Sequence, residues 1–196
     1  QALLPDAGVL AEHGLGEALA VGLGQAGEAL RHGRAPAGAE DRAGELAPGA
    51  YEAPSLRRLL ADPDVLKIFH YARCDVAVLR RFLGVAVRPL YCTKIASRLA
   101  RTYTDRHGLK DLVREVLAIE LSKTEQSSDW GAPQLSEAQL HYAAADVLHL
   151  HALKARLDQM LAREGRTALA EACFRFVPTR AELDLAGWPD LDIFAH

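Results

Sequence analysis

From residue 51 onward, apolar residues recur with the periods of short strands and amphipathic helices. Two compact apolar runs, 65–71 and 87–91, predict strands, the first buried and the second at a sheet edge because Pro89 cannot donate to a ladder. Helical spacing predicts helices over 55–60 (capped by Ser55), 75–83, 94–100 and 109–117. A capping-box pattern at Ser136 opens a long helix that ends near Gly165, after a loop over 127–133. Strands alternating with helices favour an α/β layered fold.

Residues 1–50 follow neither pattern. They use ten residue types only, hold ten of the fifteen glycines, and contain Val9 and Val21 as their only β-branched residues. Such a composition disfavours strands, and a disordered or molten tail is its plain structural interpretation. Each of the ten types can be encoded by a codon beginning with G or C, as expected when GC-rich coding DNA is translated out of frame. We therefore predict that this segment is frameshifted and that the true frame returns near residues 48–51.

Size and charge bound the possible classes of protein. The chain has 196 residues, a net charge of −3 and three cysteines without metal-type spacing, which favours a reducing compartment. No segment predicts a membrane span or a signal peptide, so we expect a cytoplasmic protein with no membrane contact and no obligate protein partner. The predicted division is an anomalous segment over 1–50, a domain over 51–170, and a tail over 171–196 that packs back on the domain.

A carboxylate follows the first predicted strand. Asp75 lies where that strand gives way to a helix, the position at which α/β folds present functional groups. The alternative is that Asp75 only favours the helix dipole.

Tyr142 and Asp146 are four residues apart in YAAAD, so on a helix they share one face. The three alanines between them leave room for a ligand. The alternative is a core tyrosine beside a solvated aspartate.

A third feature combines basic and aromatic residues. The stretch TYTDRHGLKDL begins at Thr102, and SSDW begins at Ser127. Phosphates can be contacted by the basic residues in and around this stretch, namely Arg98, Arg101, Arg106, Lys110 and Arg114, while Tyr103 or Trp130 stacks on a base. The alternative is a solvated charged helix face.

Taken in order, these residues resemble ribonuclease D, a DEDD-type 3′–5′ exonuclease of the subgroup that uses tyrosine. The matching stretches are KIFHYARCDVAVL, KIASRLARTYTDRHGLKDL, LSKTEQSSDW and QLHYAAADVLHLHAL. The resemblance implies a ribonuclease H-like fold, with a mixed sheet flanked by helices, and two divalent cations, Mg²⁺ or Mn²⁺. It implies that Asp75 and Asp146 bind metal and that Tyr142 orients the attacking water. The substrate would be an RNA 3′ end or single-stranded nucleic acid, bound by His70, Arg73, Tyr103, Arg106, His107, Lys110, Ser128 and Trp130.

The resemblance also implies an Asp-x-Glu motif and further strands before Tyr51, and residues 1–50 contain no such triplet. We therefore expect that the N-terminal strands are missing or corrupted and that the chain as written folds poorly and is inactive. A non-catalytic RNA-binding relic is the second hypothesis. A purely structural helical module is the third, and it leaves the three motifs unexplained together.

Overall fold

The computed structural model describes residues 53–121, 136–138 and 147–195. The predicted loop over 127–133 and much of the segment after Ser136 lie outside the described residues. In chain order the elements are α1 (Pro54–Ala61), β1 (Lys67–Phe69), α2 (Ala72–Leu83), β2 (Leu90–Cys92), α3 (Thr93–Ala100), α4 (Leu109–Leu117), α5 (Leu150–Arg163) and α6 (Thr167–Leu185).

Helix α1 begins one residue earlier than the sequence predicts. Pro54 takes the first helical position, where its missing N–H costs nothing, and Ala53 is the N-cap. The predicted capping role of Ser55 is therefore wrong, since this residue already lies inside the first turn and no side chain caps the helix.

The two described strands are short and parallel, and both are shorter than predicted. Phe69 pairs with Cys92 and Lys67 with Leu90. The prediction of a buried strand over 65–71 is wrong at both ends. Val65 and Leu66 are 36% and 43% exposed, and Tyr71 adopts a left-handed conformation (φ 69°) that turns the chain into α2. Similarly, β2 begins only after Pro89.

Lys67 is buried in the centre of this apolar run. Its ammonium group donates to the carbonyl oxygens of Asp62 (2.7 Å) and Arg88 (2.6 Å). Burial lowers the pKa of Lys67, and the nearby Asp62 opposes this effect. The side chain thus ties the two segments that lead into β1 and β2.

Helices α2, α3 and α4 confirm the predicted apolar periodicity; α2 and α3 begin slightly earlier than predicted, and α4 begins at Leu109 as predicted. Gly84 ends α2 in the left-handed region (φ 63°), where its N–H binds the carbonyl of Arg80 at 3.0 Å. The long helix predicted from Ser136 differs more. The described helix α5 begins only at Leu150, because His149 is a turn residue after the helical residues 147–148. Its predicted stop near Gly165 is confirmed.

The C-terminal region is helical further than expected. Helix α6 continues to Leu185 with Pro178 inside it, so most of the segment predicted as a tail over 171–196 is helical. This helix packs against α2. Arg73 and Arg80 of α2 pair with Asp184 and Glu182 of α6.

Among the described residues, one apolar cluster joins the helices to the short sheet. Leu112 of α4 and Leu153 and Leu157 of α5 are completely buried. The ring of Tyr91 in β2 packs against the ring of Phe174 in α6 at a tilt of 43°, with centroids 4.5 Å apart. Among the described helices, none is long and apolar enough to cross a membrane.

Candidate nuclease site

The carboxyl ends of β1 and β2 bring several polar residues to one edge of the sheet. His70 and Tyr71 follow β1, and Thr93 and Lys94 follow β2. The Thr93 hydroxyl donates to the carbonyl of Phe69 at 3.1 Å and lies 2.9 Å from His70 Nδ1. Because a hydroxyl has one hydrogen, this arrangement indicates that Nδ1 of His70 is the donor in its bond to Thr93.

Asp75 lies beside this edge, in the first turn of α2. The left-handed Tyr71 is the N-cap of the helix, so the strand-to-helix turn is complete within a few residues of Phe69. Asp75 is half-buried and has an interaction within the fold. Its oxygens are the ligand type that hard divalent cations bind.

Tyr142 and Asp146, the other residues expected in the catalytic centre, lie outside the described residues. Their predicted roles therefore remain predictions. Within the described ranges there is no group of three or more His, Cys, Asp or Glu side chains placed to hold a metal ion. Asp75 is the described member of the predicted ligand pair, and its donor chemistry fits such a cation.

Thr93 and Lys94 also lie beside the site, although they are not among the site residues predicted from the sequence. The ammonium group of Lys94 lies 4.0 Å from the centre of the Tyr71 ring. The available signal was their position directly after the second predicted strand, since parallel strands end at the same edge.

Arg73 was predicted to bind nucleic acid, but its guanidinium has partners within the protein. It forms two hydrogen bonds with the carboxylate of Asp184, at 2.6 and 2.7 Å, and a third with the carbonyl of Pro189. The bond to Asp184 raises the pKa of Arg73 and outweighs the opposing effect of burial. These contacts join α2 to the C-terminal region and commit the Arg73 guanidinium to partners within the protein.

Four of the other predicted nucleic-acid contacts, Tyr103, Arg106, His107 and Lys110, lie on the connection between α3 and α4 or in the first turn of α4. Tyr103 is 73% exposed, and Arg106 is also exposed. His107 and Lys110 are half-buried, and Lys110 lies in the first turn of α4. The structure thus brings these four residues onto one short segment, whereas Ser128 and Trp130 lie outside the described residues.

Arg101 lies beneath this segment and is completely buried, so the prediction that it contacts phosphates is wrong. Its Nη1 donates to the Ser97 hydroxyl at 3.0 Å and to the Arg106 carbonyl at 2.9 Å, and its Nη2 pairs with Glu115. The Ser97 hydroxyl in turn lies 2.9 Å from His107 Nδ1. Burial lowers the pKa of His107, and the positive charges of Arg101 and Arg98 lower it further.

Comparison with known proteins gives a family match over much of this region. A family model described as a 3′–5′ exonuclease matches residues 40–162. A curated ribonuclease D from Gluconacetobacter diazotrophicus is 42% identical over 121 residues, which cover 62% of this chain and 30% of the relative. The chain thus spans about a third of the length of the curated relatives it matches.

Solved structures of two proteins extend the likeness. Brucella melitensis NrnC bound to pGG is 60% identical with a TM-score of 0.72, and the match covers 74% of this chain and 70% of NrnC. NrnC has also been solved with bound Mg²⁺. Escherichia coli RNase D, an exoribonuclease involved in structured RNA processing, is 28% identical with a TM-score of 0.63, over 71% of this chain and 38% of that protein. These likenesses confirm the predicted ribonuclease H-like exonuclease fold.

Proposed function

The chain belongs to the 3′–5′ exonuclease family, and from this premise we propose that it is a ribonuclease D-type exoribonuclease that removes nucleotides from RNA 3′ ends. What supports this is the position of Asp75 at the carboxyl edge of the parallel strands, in a chain of that family. The ends of structured RNAs, such as tRNA precursors, are the proposed natural substrates. Short oligoribonucleotides are suitable probes, because NrnC, which is 60% identical, binds pGG.

The proposed mechanism needs two divalent cations, Mg²⁺ or Mn²⁺. When bound, such ions activate a water and neutralise the charge of the leaving oxygen. Asp75 and Asp146 would hold them, and Tyr142 would orient the attacking water at the terminal phosphodiester. Each step would release one nucleoside 5′-monophosphate.

A second candidate function follows from the missing triplet. Residues 1–50 contain no Asp-x-Glu, so two of the four carboxylates of the family are not evident in this chain. Fewer carboxylates bind the cations more weakly, because these ligands supply the negative charge of the site. The chain would then be an RNA-binding relic without cleavage, which is the outcome expected if the sequence as written is inactive.

The test uses the purified chain, a 5′-labelled single-stranded RNA and a titration of Mg²⁺ or Mn²⁺. The exonuclease hypothesis expects a ladder of shortened products and released 5′-monophosphates, both abolished by Asp75→Asn. The matched control is Asp64→Asn, because Asp64 is exposed and precedes β1 at the amino end of the strand.

Each outcome decides between the candidates. Binding without metal-dependent cleavage supports the relic. Cleavage that survives Asp75→Asn overturns the assigned site, and the absence of both cleavage and binding overturns both functions.

A further inference from the structure

Arg101 is a buried charge at the base of an exposed loop. Its side chain is completely buried, whereas Tyr103, two residues later, is 73% exposed. The Arg101 guanidinium carbon lies 5.9 Å from the centre of the Tyr103 ring. The loop, defined here as residues 102–108, joins α3 to α4.

The guanidinium connects three parts of the chain. It bonds Ser97 in α3, the carbonyl of Arg106 in the loop and Glu115 in α4. Because the guanidinium is planar and rigid, these bonds set the separation and direction of the three segments. A lysine at this position would keep the charge but lose that fork.

Stability alone does not account for this arrangement. Burying a guanidinium is costly, and well-packed apolar residues of similar volume often stabilise a protein as well or better. Among the described residues, the Nε of Arg101 has no hydrogen-bond partner, which adds to the cost. We therefore look for the advantage of a buried arginine in the residues that the 102–108 loop exposes to solvent.

The loop exposes the aromatic ring of Tyr103 and the basic side chain of Arg106 to solvent. Tyr103 projects a large apolar face into solvent, and Arg106 is exposed three residues later. The loop is held internally as well, since the Arg106 N–H donates to the Thr104 hydroxyl at 3.2 Å. An exposed ring on a rigid support can stack on an unpaired base with little loss of conformational entropy.

We propose that Arg101 is a positioning residue for RNA binding, which holds the 102–108 loop so that Tyr103 stacks on an unpaired base. The substrate class rests on the proposed function. Arg101 itself does not touch the RNA, because its guanidinium is buried beneath the loop and bonded to Ser97, Arg106 and Glu115. The effect of Arg101 on affinity is then carried by Tyr103.

A double-mutant cycle tests this dependence. Affinity is measured without added divalent cations, so that cleavage does not intervene, for a single-stranded RNA that carries 2-aminopurine at its 3′ end. We expect Tyr103→Ala to raise Kd roughly tenfold and to reduce the fluorescence quenching of the base. Arg101→Lys should raise Kd by a similar factor. The Kd of the double variant should not exceed the larger Kd of the two single variants.

Controls separate positioning from general damage. Tyr103→Trp should keep the quenching, because the ring is retained. Arg80→Lys changes another ion-paired arginine, on α2, and should leave Kd unchanged. If Arg101→Lys does not fold, Glu115→Gln replaces it in the cycle, since this change removes one partner of Arg101 and keeps the bonds to Ser97 and Arg106.

Each outcome bears on the inference. The inference is overturned if the two changes raise Kd by factors that multiply in the folded double variant. It is also overturned if a folded Arg101→Lys variant has an unchanged Kd. In both cases the proposed function stands. An unsubstituted chain that does not bind RNA overturns both. Non-additive losses together with reduced quenching support the positioning role.

Discussion

The surroundings of the His107 ring favour its neutral form. Burial is the largest cause of its lowered pKa, followed by the charges of Arg101 and Arg98, while a backbone contact with Thr104 and the charge of Asp105 oppose them. The pKa in the folded protein is thus below the ordinary value of about 6.5. The unfolded chain therefore binds more protons as pH falls below that value. The stability contributed by His107 is fully present above about pH 6.5 and is lost as pH falls through the lowered folded pKa.

We predict that Arg98→Gln raises the pKa of His107 towards its ordinary value, because it removes one nearby positive charge. Arg98 is exposed, so the fold should tolerate the change. The measurement is an NMR titration of the His107 ring protons. Arg58→Gln, an exposed change on α1, should leave the midpoint in place. A wild-type midpoint at or above about 6.5 would contradict the prediction.

At the scale of elements, α2 and α6 are joined by two arginine–carboxylate pairs that differ in burial. The Asp184 side chain is only 7% exposed and bonds Arg73 through both oxygens. Arg180 lies 3.2 Å from the same carboxylate. In the second pair, Arg80 and Glu182 are 42% and 54% exposed. Solvent screens the exposed pair, so the two pairs should contribute unequally to stability.

We predict that Asp184→Asn lowers the free energy of unfolding by roughly 1–3 kcal/mol, because Arg73 and Arg180 lose their shared charged acceptor. Glu182→Gln is the matched control on the same helix, with an expected loss below about 1 kcal/mol. Urea denaturation of both variants is the measurement. Equal losses would show that burial does not distinguish the two pairs.

Over the whole molecule, the apolar cluster links the sheet edge to the helices around it. Leu157 of α5 is completely buried within that cluster, whereas Leu169 of α6 is 53% exposed. A truncated core side chain loses its burial and leaves a cavity. The exposed leucine loses much less on truncation.

We predict that Leu157→Ala lowers the free energy of unfolding by about 2–5 kcal/mol. Leu169→Ala should cost less than about 0.5 kcal/mol. Denaturation followed by circular dichroism measures both, and RNA affinity per folded molecule should not change. A small loss at Leu157 would mean that the cluster does not act as one core.

The reading frame of residues 1–50 affects the whole molecule, because the family's missing carboxylates are expected there. We predict that the coding DNA over codons 1–55, read one base out of phase, encodes β-rich segments and an Asp-x-Glu. Nucleotide sequencing checks this directly. If the first fifty codons are in their authentic phase, the frameshift hypothesis is wrong and the missing carboxylates need another source.

The local sequence pattern alone was sufficient to predict helices α2, α3 and α4 and the position of Asp75 after a strand. Helix formation depends on residues three or four apart, and a carboxylate that follows a strand is visible in sequence. The same reasoning predicted β1 too long. The apolar residues of 65–71 do not reveal that Val65 and Leu66 are exposed or that Tyr71 turns the chain into α2.

Only the tertiary structure decided which groups are partners. Arg73 finds Asp184 across 111 residues, and His70 finds Thr93 across 23. Arg101, one basic residue among several in the sequence, proves to be the buried support of the loop. Periodicity carries no information about such contacts, because they depend on how α2, α3, α4 and α6 pack around one core.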